Sequence, residues 1–202
     1  MLASERIRTS YERIRAEVGP GVTVVVATKY VGLEDMAALM EAGIEVVGEN
    51  RLQDLVAKRS RYAAAFRWHF IGHLQSRKAG AVSELCELVH SLDSLSAVRR
   101  LAVPALVQVN LAGEESKSGV PRGELGPLLA AAREAGVEIR GLSTMPPLAD
   151  DPERSRPYFR ELAIVASEHG LPELSMGTTQ DYRVAAEEGA TFVRVGSAVF
   201  RG

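Results

Sequence analysis

The sequence predicts an α/β fold, a single (β/α)8 TIM barrel, from three observations. Short apolar runs rich in β-branched residues alternate with longer segments of helical periodicity, a pattern typical of βα units around a parallel sheet. Eight such runs occur, whereas open doubly wound sheets usually carry fewer strands. The 202 residues are about the minimum length for this architecture, so we expect one domain over residues 1–202.

The first predicted element is an amphipathic helix over residues 2–18, because Ile7, Tyr11, Ile14 and Val18 fall on one helical face among charged side chains. Such a mixture of acids and bases is unlike a secretory signal or a transit peptide. The predicted strands then cover residues 22–27, 45–47, 68–71, 88–92, 105–110, 137–142, 173–175 and 191–195. The predicted helices between them cover residues 33–42, 51–62, 76–84, 94–101, 122–135, 152–169 and 181–188. Four helices are followed by a glycine suited to a left-handed C-terminal cap, at Gly43, Gly136, Gly170 and Gly189.

Charge and cysteine content exclude several classes of partner. The 24 basic and 26 acidic residues give a net charge of −2, which supplies no field that would attract nucleic acid or an anionic membrane. No apolar stretch is long enough to span a bilayer, and no Cys/His cluster has metal-ligand spacing. The single Cys86 cannot form an internal disulfide. We therefore expect a cytoplasmic monomer without metal, nucleic-acid or membrane partners.

Lys29 is the strongest candidate for a reactive residue. In barrels of this kind the active site lies at the C-terminal ends of the strands, and Lys29 follows the first predicted strand. The other lysines, Lys58, Lys78 and Lys117, lie in charged or polar segments and are predicted to be solvated. Apolar walls around Lys29 would leave a neutral, nucleophilic amine able to form a Schiff base, although a strand-end lysine can also simply face water.

The end of the eighth predicted strand has the features of a phosphate site. Gly196 allows a close backbone approach, and the Ser197 hydroxyl and nearby amides can donate to an anion at the start of a short helix. Residues 176–179, after the seventh strand, add further small donors. An ordinary capping turn would have the same sequence. Since closure pairs the eighth strand with the first, a phosphate here would lie near Lys29, and the combination suggests an aldehyde phosphate.

Five segments carry a family resemblance across nearly the whole chain: Ala27-Thr28-Lys29, Gly48-Glu49-Asn50, residues 68–76, Ser116-Lys117-Ser118-Gly119 and residues 193–200. Together they resemble the pyridoxal 5'-phosphate homeostasis proteins, the YggS/PROSC-like family. That family is similar in fold to the barrel of bacterial alanine racemases, so the resemblance implies an alanine racemase-like barrel without the C-terminal β domain.

The resemblance implies pyridoxal 5'-phosphate (PLP) as the cofactor and assigns most of its contacts. Lys29 would be the Schiff-base lysine, and Arg194 would be the partner of the pyridine nitrogen. Gly196 and Ser197 would form part of the phosphate site, and Thr179 takes the place of a family serine that also binds phosphate.

Three further residues, Asn50, His69 and Met145, fall in family motifs near the ring. For His69, the alternative is a hydrogen-bonded histidine on a packed strand. The family's usual Met-Gly-Met-Ser-Asp reads Met176-Gly177-Thr178-Thr179-Gln180 in this chain, so an apolar residue and an acid are replaced while a hydroxyl is retained.

The resemblance implies a protein that holds PLP and regulates its supply, with free amino acids and PLP-dependent apoenzymes as further partners, rather than a catalyst. A permanently charged Arg194 disfavours protonation of the pyridine nitrogen, which weakens the ring as an electron sink. A racemase also needs acid/base groups on both faces of its substrate, and Tyr30 adjoins Lys29 on the same strand end. The alternatives are a small racemase-like enzyme, a Schiff-base aldolase acting on a sugar phosphate, or an interaction module.

Overall fold

Eight parallel strands close into a barrel, as the sequence predicts, in a computed structural model that describes residues 3–113 and 118–200. The barrel strands are β1 (Thr23–Ala27), β2 (Val46–Glu49), β3 (Arg67–Phe70), β4 (Leu88–Leu92), β5 (Ala105–Asn110), β6 (Ile139–Ser143), β7 (Glu173–Thr178) and β8 (Phe192–Val195). Each strand pairs with its sequence neighbours, and β8 pairs with β1 to complete the ring. A two-residue strand, Val120–Pro121, pairs with β5 outside the ring.

Helices separate the strands and cover the barrel from outside. They are α1 (Ser4–Val18), α2 (Met36–Glu41), α3 (Leu52–Tyr62), α4 (Ala79–Ser83), α5 (Leu95–Val98), α6 (Arg122–Glu134), α7 (Arg156–Glu168), α8 (Tyr182–Glu187) and α9 (Ser197–Phe200). Turns of 3-10 helix, Ser76–Lys78 and Pro152–Ser155, precede α4 and α7. The predicted apolar face of α1 is buried, and the four predicted capping glycines have positive φ angles.

Two strands run two or more residues further at their C-terminal ends than predicted. β2 extends through Gly48 and Glu49, and β7 extends through Met176, Gly177 and Thr178. Glycine and charged residues have low strand propensity, so these segments do not look like strands in a single sequence. In the barrel, however, Gly48 pairs with His69 and Thr178 pairs with Arg194. The extensions carry polar residues to the C-terminal mouth of the barrel.

The seam between the first and last strands determines which residues can meet. In its register Val25 lies beside Arg194 and Val26 lies beside Val195. The residues that follow β1, beginning with Thr28 and Lys29, therefore emerge beside the turn that follows β8. The sequence predicted this juxtaposition from closure of the barrel, and the register confirms it.

Candidate functional site

One cavity at the C-terminal mouth brings together seven of the eight predicted site residues. Its volume is about 580 Å³, within the range of pockets that hold cofactors. The seven come from the ends of five different strands: Lys29, Asn50, Met145, Thr179, Arg194, Gly196 and Ser197. The eighth, His69, does not line this cavity.

Lys29 stands at the rim of the cavity. Its side chain is exposed, and its Nζ lies 4.8 Å from the centre of the Tyr30 ring. The expectation that apolar walls enclose Lys29 is therefore wrong for this structure, since the amine is open to solvent on one side. Tyr30 is itself 90% exposed and follows Lys29 on the same strand end, as expected.

The turn after β8 converges with the loop after β7 on a small cluster of donors. The backbone N–H groups of Gly196 and Ala198 donate to Thr179 Oγ1 over 3.2 and 3.5 Å. Gly177 places this loop, since its φ of 89° is left-handed and an added Cβ would lie 2.5 Å from that of Ala185. The amides and hydroxyls of this turn suit an anion such as phosphate, and the hydroxyl retained at Thr179 faces them.

Arg194 is buried in the wall of the cavity and bonds only to neutral acceptors among the described residues. Its Nη1 donates to the Ser175 carbonyl over 2.8 Å and to Ser175 Oγ over 2.5 Å. Its Nη2 donates to the Thr144 carbonyl and to Met145 Sδ, both over 2.9 Å. Burial lowers the pKa of Arg194 to about 10, so the guanidinium is still charged at neutral pH.

Asn50 offers an unused acceptor. Its Oδ1 is buried and makes no hydrogen bond within the described structure, although the residue lines the cavity. Gly72 makes its position possible, because an added Cβ would lie 2.0 Å from the Asn50 carbonyl oxygen. A buried polar atom without a partner costs free energy, which a bound polar ligand would remove.

His69 lies inside the barrel, with 1% of its surface exposed. Its Nδ1 is 2.9 Å from His90 Nε2, and its other ring nitrogen has no partner among the described residues. Burial, with the positive charges of Arg67 and Arg140, lowers the pKa of His69 to about 3. This placement matches the alternative interpretation of a hydrogen-bonded histidine on a packed strand.

Lys58 was predicted to be solvated, and that prediction is wrong. Its Nζ is buried, 2.5 Å from Glu49 Oε1 and 2.7 Å from the Thr28 carbonyl oxygen. Thr28 Oγ1 also donates to Glu49 Oε1 over 2.5 Å. We call Thr28, Glu49 and Lys58 the lysine-side network, since Thr28 immediately precedes Lys29. The signal was in the sequence, because Lys58 falls between Leu55 and Tyr62 on the buried face of α3.

A second buried network is formed by Ser175, His90 and His69, of which only His69 was considered in the sequence, as a hydrogen-bonded histidine. His90 Nδ1 lies 2.7 Å from Ser175 Oγ, and Ser175 in turn contacts Arg194. We call these three residues the arginine-side network. They lie on three separate strands that only the closed barrel brings together.

Asp181 holds the loop after β7. It accepts hydrogen bonds from the Thr178 amide over 2.7 Å and from the Ser155 hydroxyl over 2.7 Å. Gln180, at the position where the family has an acid, is exposed, and the carboxylate that holds this loop is that of Asp181, one residue later.

Two expected absences concern the described residues only. Over residues 3–113 and 118–200, no group of three or more His, Cys, Asp or Glu side chains could hold a metal ion. Within the same ranges, every helix is too short or too polar to cross a membrane. Lys117 and Ser116, part of the fourth motif, lie outside the described residues.

Fold and site together define a (β/α)8 barrel of the alanine racemase type, with a lysine and an anion cradle at its mouth. The model of the family "Alanine racemase, N-terminal domain" matches residues 2–202, and the chain belongs to this family. The alanine racemase of Corynebacterium glutamicum shares the fold, with a TM-score of 0.78 and 16% identity. That comparison covers 98% of this chain and 61% of the racemase.

Relatives of similar length are named pyridoxal phosphate homeostasis protein. The one from Aquifex aeolicus is 36% identical, covering 99% of this chain and 98% of the relative. The one from Escherichia coli K12 is 31% identical, covering 98% and 94%. The structure of PipY from Synechococcus elongatus, solved with PLP bound, has a TM-score of 0.88 at 29% identity and covers 96% of this chain and 99% of PipY. The family resemblance seen in the sequence is therefore confirmed.

Proposed function

We propose that this protein binds PLP reversibly through Lys29 and regulates the supply of PLP in the cell. The observation that carries the proposal is that the lysine, the buried arginine and the donor turn line one cavity. The relatives' name and the PLP in PipY support the choice of ligand. PLP, when bound, supplies an aldehyde that captures amines and a ring that withdraws electrons.

The residues present fit this ligand. Thr179, Gly196 and Ser197 would hold the phosphate with hydroxyl and amide donors, and the unpartnered Oδ1 of Asn50 is available to a polar group. Arg194 would face the pyridine nitrogen with a fixed positive charge, which keeps a proton away from that nitrogen. Met145 would border the ring. His69 does not line the cavity and would act on the ligand only through its neighbours.

The exposure of Lys29 favours a carrier over an enzyme. An amine from a free amino acid or a recipient apoenzyme must reach the linkage, and Lys29 lies at the open rim. Racemisation would need acid/base groups on both faces of a substrate. The titratable side chains lining the described cavity are Arg194 and three from the segment after β1, Lys29, Tyr30 and Asp35. Three groups from one segment do not supply acid/base groups on opposite faces of a substrate, so the proposed role is non-catalytic. We propose that the protein acts as a monomer in the cytoplasm.

The test is to load the purified protein with PLP and record the near-visible absorption. A covalent attachment should give a band that Lys29→Ala abolishes and that Lys78→Ala, the matched control outside the cavity, keeps. Borohydride reduction and peptide mass mapping should then locate the label at residue 29. A label on another residue would overturn the assignment, and rapid interconversion of alanine enantiomers by the wild type would favour the racemase-like alternative.

A further inference from the structure

We propose that the arginine-side network is a one-directional chain of hydrogen bonds that positions Arg194, so that Ser175, His90 and His69 are positioning residues for PLP. The inference rests on the proposed function for its ligand. The hydrogen-bond chain itself can be tested without any ligand.

The direction of the chain follows from the chemistry of arginine. A guanidinium only donates, so Ser175 Oγ must accept from Arg194 Nη1, which lies 2.5 Å away. In the described structure Ser175 Oγ has two hydrogen-bond partners, Arg194 Nη1 and His90 Nδ1, so its hydroxyl hydrogen finds an acceptor only when it points at His90 Nδ1, at 2.7 Å. His90 Nδ1 is therefore an acceptor, and a neutral His90 carries its proton on Nε2.

The same logic extends to the next ring. His90 Nε2 donates to His69 Nδ1 over 2.9 Å, so His69 also carries its proton on Nε2. That N–H is the buried nitrogen that has no partner in the described structure. With these proton positions, each link from arginine to serine to the two histidines has one donor and one acceptor.

The surroundings keep both rings neutral. His90 is fully buried, and burial, His69 and Arg194 together hold its pKa well below the usual value. Phe192 packs its ring against both histidines, with centroids 5.2 Å from His90 and 5.9 Å from His69. A neutral pair is what the chain needs, because a proton on His90 Nδ1 would compete with the hydrogen of Ser175.

The consequence for the cavity is an arginine whose hydrogen-bond partners in the described structure are neutral, while the Asp181 carboxylate acts on it only through its charge. Within residues 3–113 and 118–200, the Arg194 guanidinium donates to two carbonyls, one hydroxyl and one thioether. If the chain were reversed, His90 Nδ1–H would donate to Ser175 Oγ, and the buried hydroxyl hydrogen would have no acceptor along the chain. The fixed direction thus orients Arg194 in the wall of the cavity.

The first experiment uses the ligand-free wild type. Two-bond 1H–15N correlation spectra of the histidine rings should show the Nε2–H tautomer, with unprotonated Nδ1, for both His69 and His90 at neutral pH. A proton on Nδ1 of His90, or a charged ring, would overturn the proposal. Since neither a variant nor PLP is involved, this result is independent of the proposed function.

The second experiment measures PLP affinity in variants. Loss of the chain in His90→Leu should weaken binding by about tenfold, whereas His90→Asn, which places an acceptor near the lost Nδ1, should stay within about threefold of wild type. Ser175→Ala should resemble His90→Leu. The double variant Ser175→Ala/His90→Leu should bind PLP no more weakly than either single variant, because both changes break the same hydrogen bond.

Each outcome decides one hypothesis. Additive losses in the double variant would mean that Ser175 and His90 act separately, and the positioning role would fail. Equal PLP affinities of His90→Leu and the wild type would also contradict the positioning role. If the wild type binds no PLP, the proposed function fails, while the tautomer spectra still decide the chain. Circular dichroism of each variant identifies any that misfolds.

Discussion

The two sides of the cavity are supported by different buried networks, one built around an ion pair and the other built from neutral side chains. Behind Lys29, the lysine-side network is an ion pair between Glu49 and Lys58, with Glu49 completely buried. Behind Arg194, the arginine-side network consists of neutral groups. On the first side the charge of Lys58 is paired with a carboxylate near Lys29, and on the second side Arg194 makes hydrogen bonds only to neutral groups among the described residues. Positive charge is thus concentrated where the proposed pyridine nitrogen lies.

Breaking the ion pair should have the largest effect. Glu49→Ala leaves the ammonium of Lys58 buried without its carboxylate, and we expect the free energy of unfolding to fall by about 3–5 kcal/mol. Urea denaturation of the ligand-free protein measures it. The double variant Glu49→Leu/Lys58→Met removes both charges and should recover most of the loss. A loss below about 1 kcal/mol for Glu49→Ala would mean that the pair is solvated.

The second-largest effect is expected on acidification, because low pH protonates the neutral histidines of the arginine-side network. A histidine with a depressed pKa resists protonation when folded, whereas the unfolded chain takes the proton near 6.5. Stability is therefore unaffected above pH 6.5, falls as the pH drops below it, and the loss is complete only below the folded pKa, about 3 for His69. Between pH 6.5 and 5 we expect a loss of about 1.5 kcal/mol for each ring.

The control for this experiment is the double variant His69→Gln/His90→Asn, which has no ring to protonate. Its free energy of unfolding should vary less with pH than that of the wild type. Asp93 and Glu173, whose pKa values are raised by burial, contribute in the opposite direction in both proteins and cancel in the comparison. Equal pH dependence of the two proteins would show that the histidines are not held neutral.

Two buried threonine hydroxyls, one bonded to a carboxylate and one to a neutral carbonyl, allow the strength of the two kinds of hydrogen bond to be compared. Thr28→Val removes a hydrogen bond to the Glu49 carboxylate and should cost about 1.5–3 kcal/mol. Thr144→Val, also buried, removes one to the neutral Val109 carbonyl and should cost about 0.5–1.5 kcal/mol. Thermal or urea unfolding measures both. The reverse order would contradict a charged acceptor at Glu49.

The smallest effect is expected at the rim, outside both networks. Tyr30→Leu removes only a cation–π contact between exposed groups, so the free energy of unfolding should change by about 0.5 kcal/mol or less. The same denaturation experiment measures it. A change as large as that of Glu49→Ala would mean that Tyr30 is packed in solution.

The fold and most of the cavity could be predicted from the sequence because they depend on local signals. Alternating β-branched and helical periods locate the strands, and residues that follow a strand are placed at the mouth of the barrel, as for Lys29 and Gly196. The burial of Lys58 was visible in its helical spacing but was outweighed by its charged neighbours.

The arginine-side network could not be predicted in the same way. His90 and Ser175 sit inside apolar strands, and their partners are far along the chain. Their pairing depends on barrel register and stagger, which no local pattern specifies. His69 shows the same limit, since its family motif placed it near the ring but gave no side-chain direction.

Pairing of β1 with β8 has a consequence for the order of events during synthesis. Lys29 leaves the ribosome early, whereas Arg194, Gly196 and Ser197 are among the later residues to be translated. A nascent chain that lacks β8 has an amine but neither the cradle nor the cation. The complete pocket therefore forms only after the ring has closed, so the PLP binding proposed for it would have to follow the synthesis of β8.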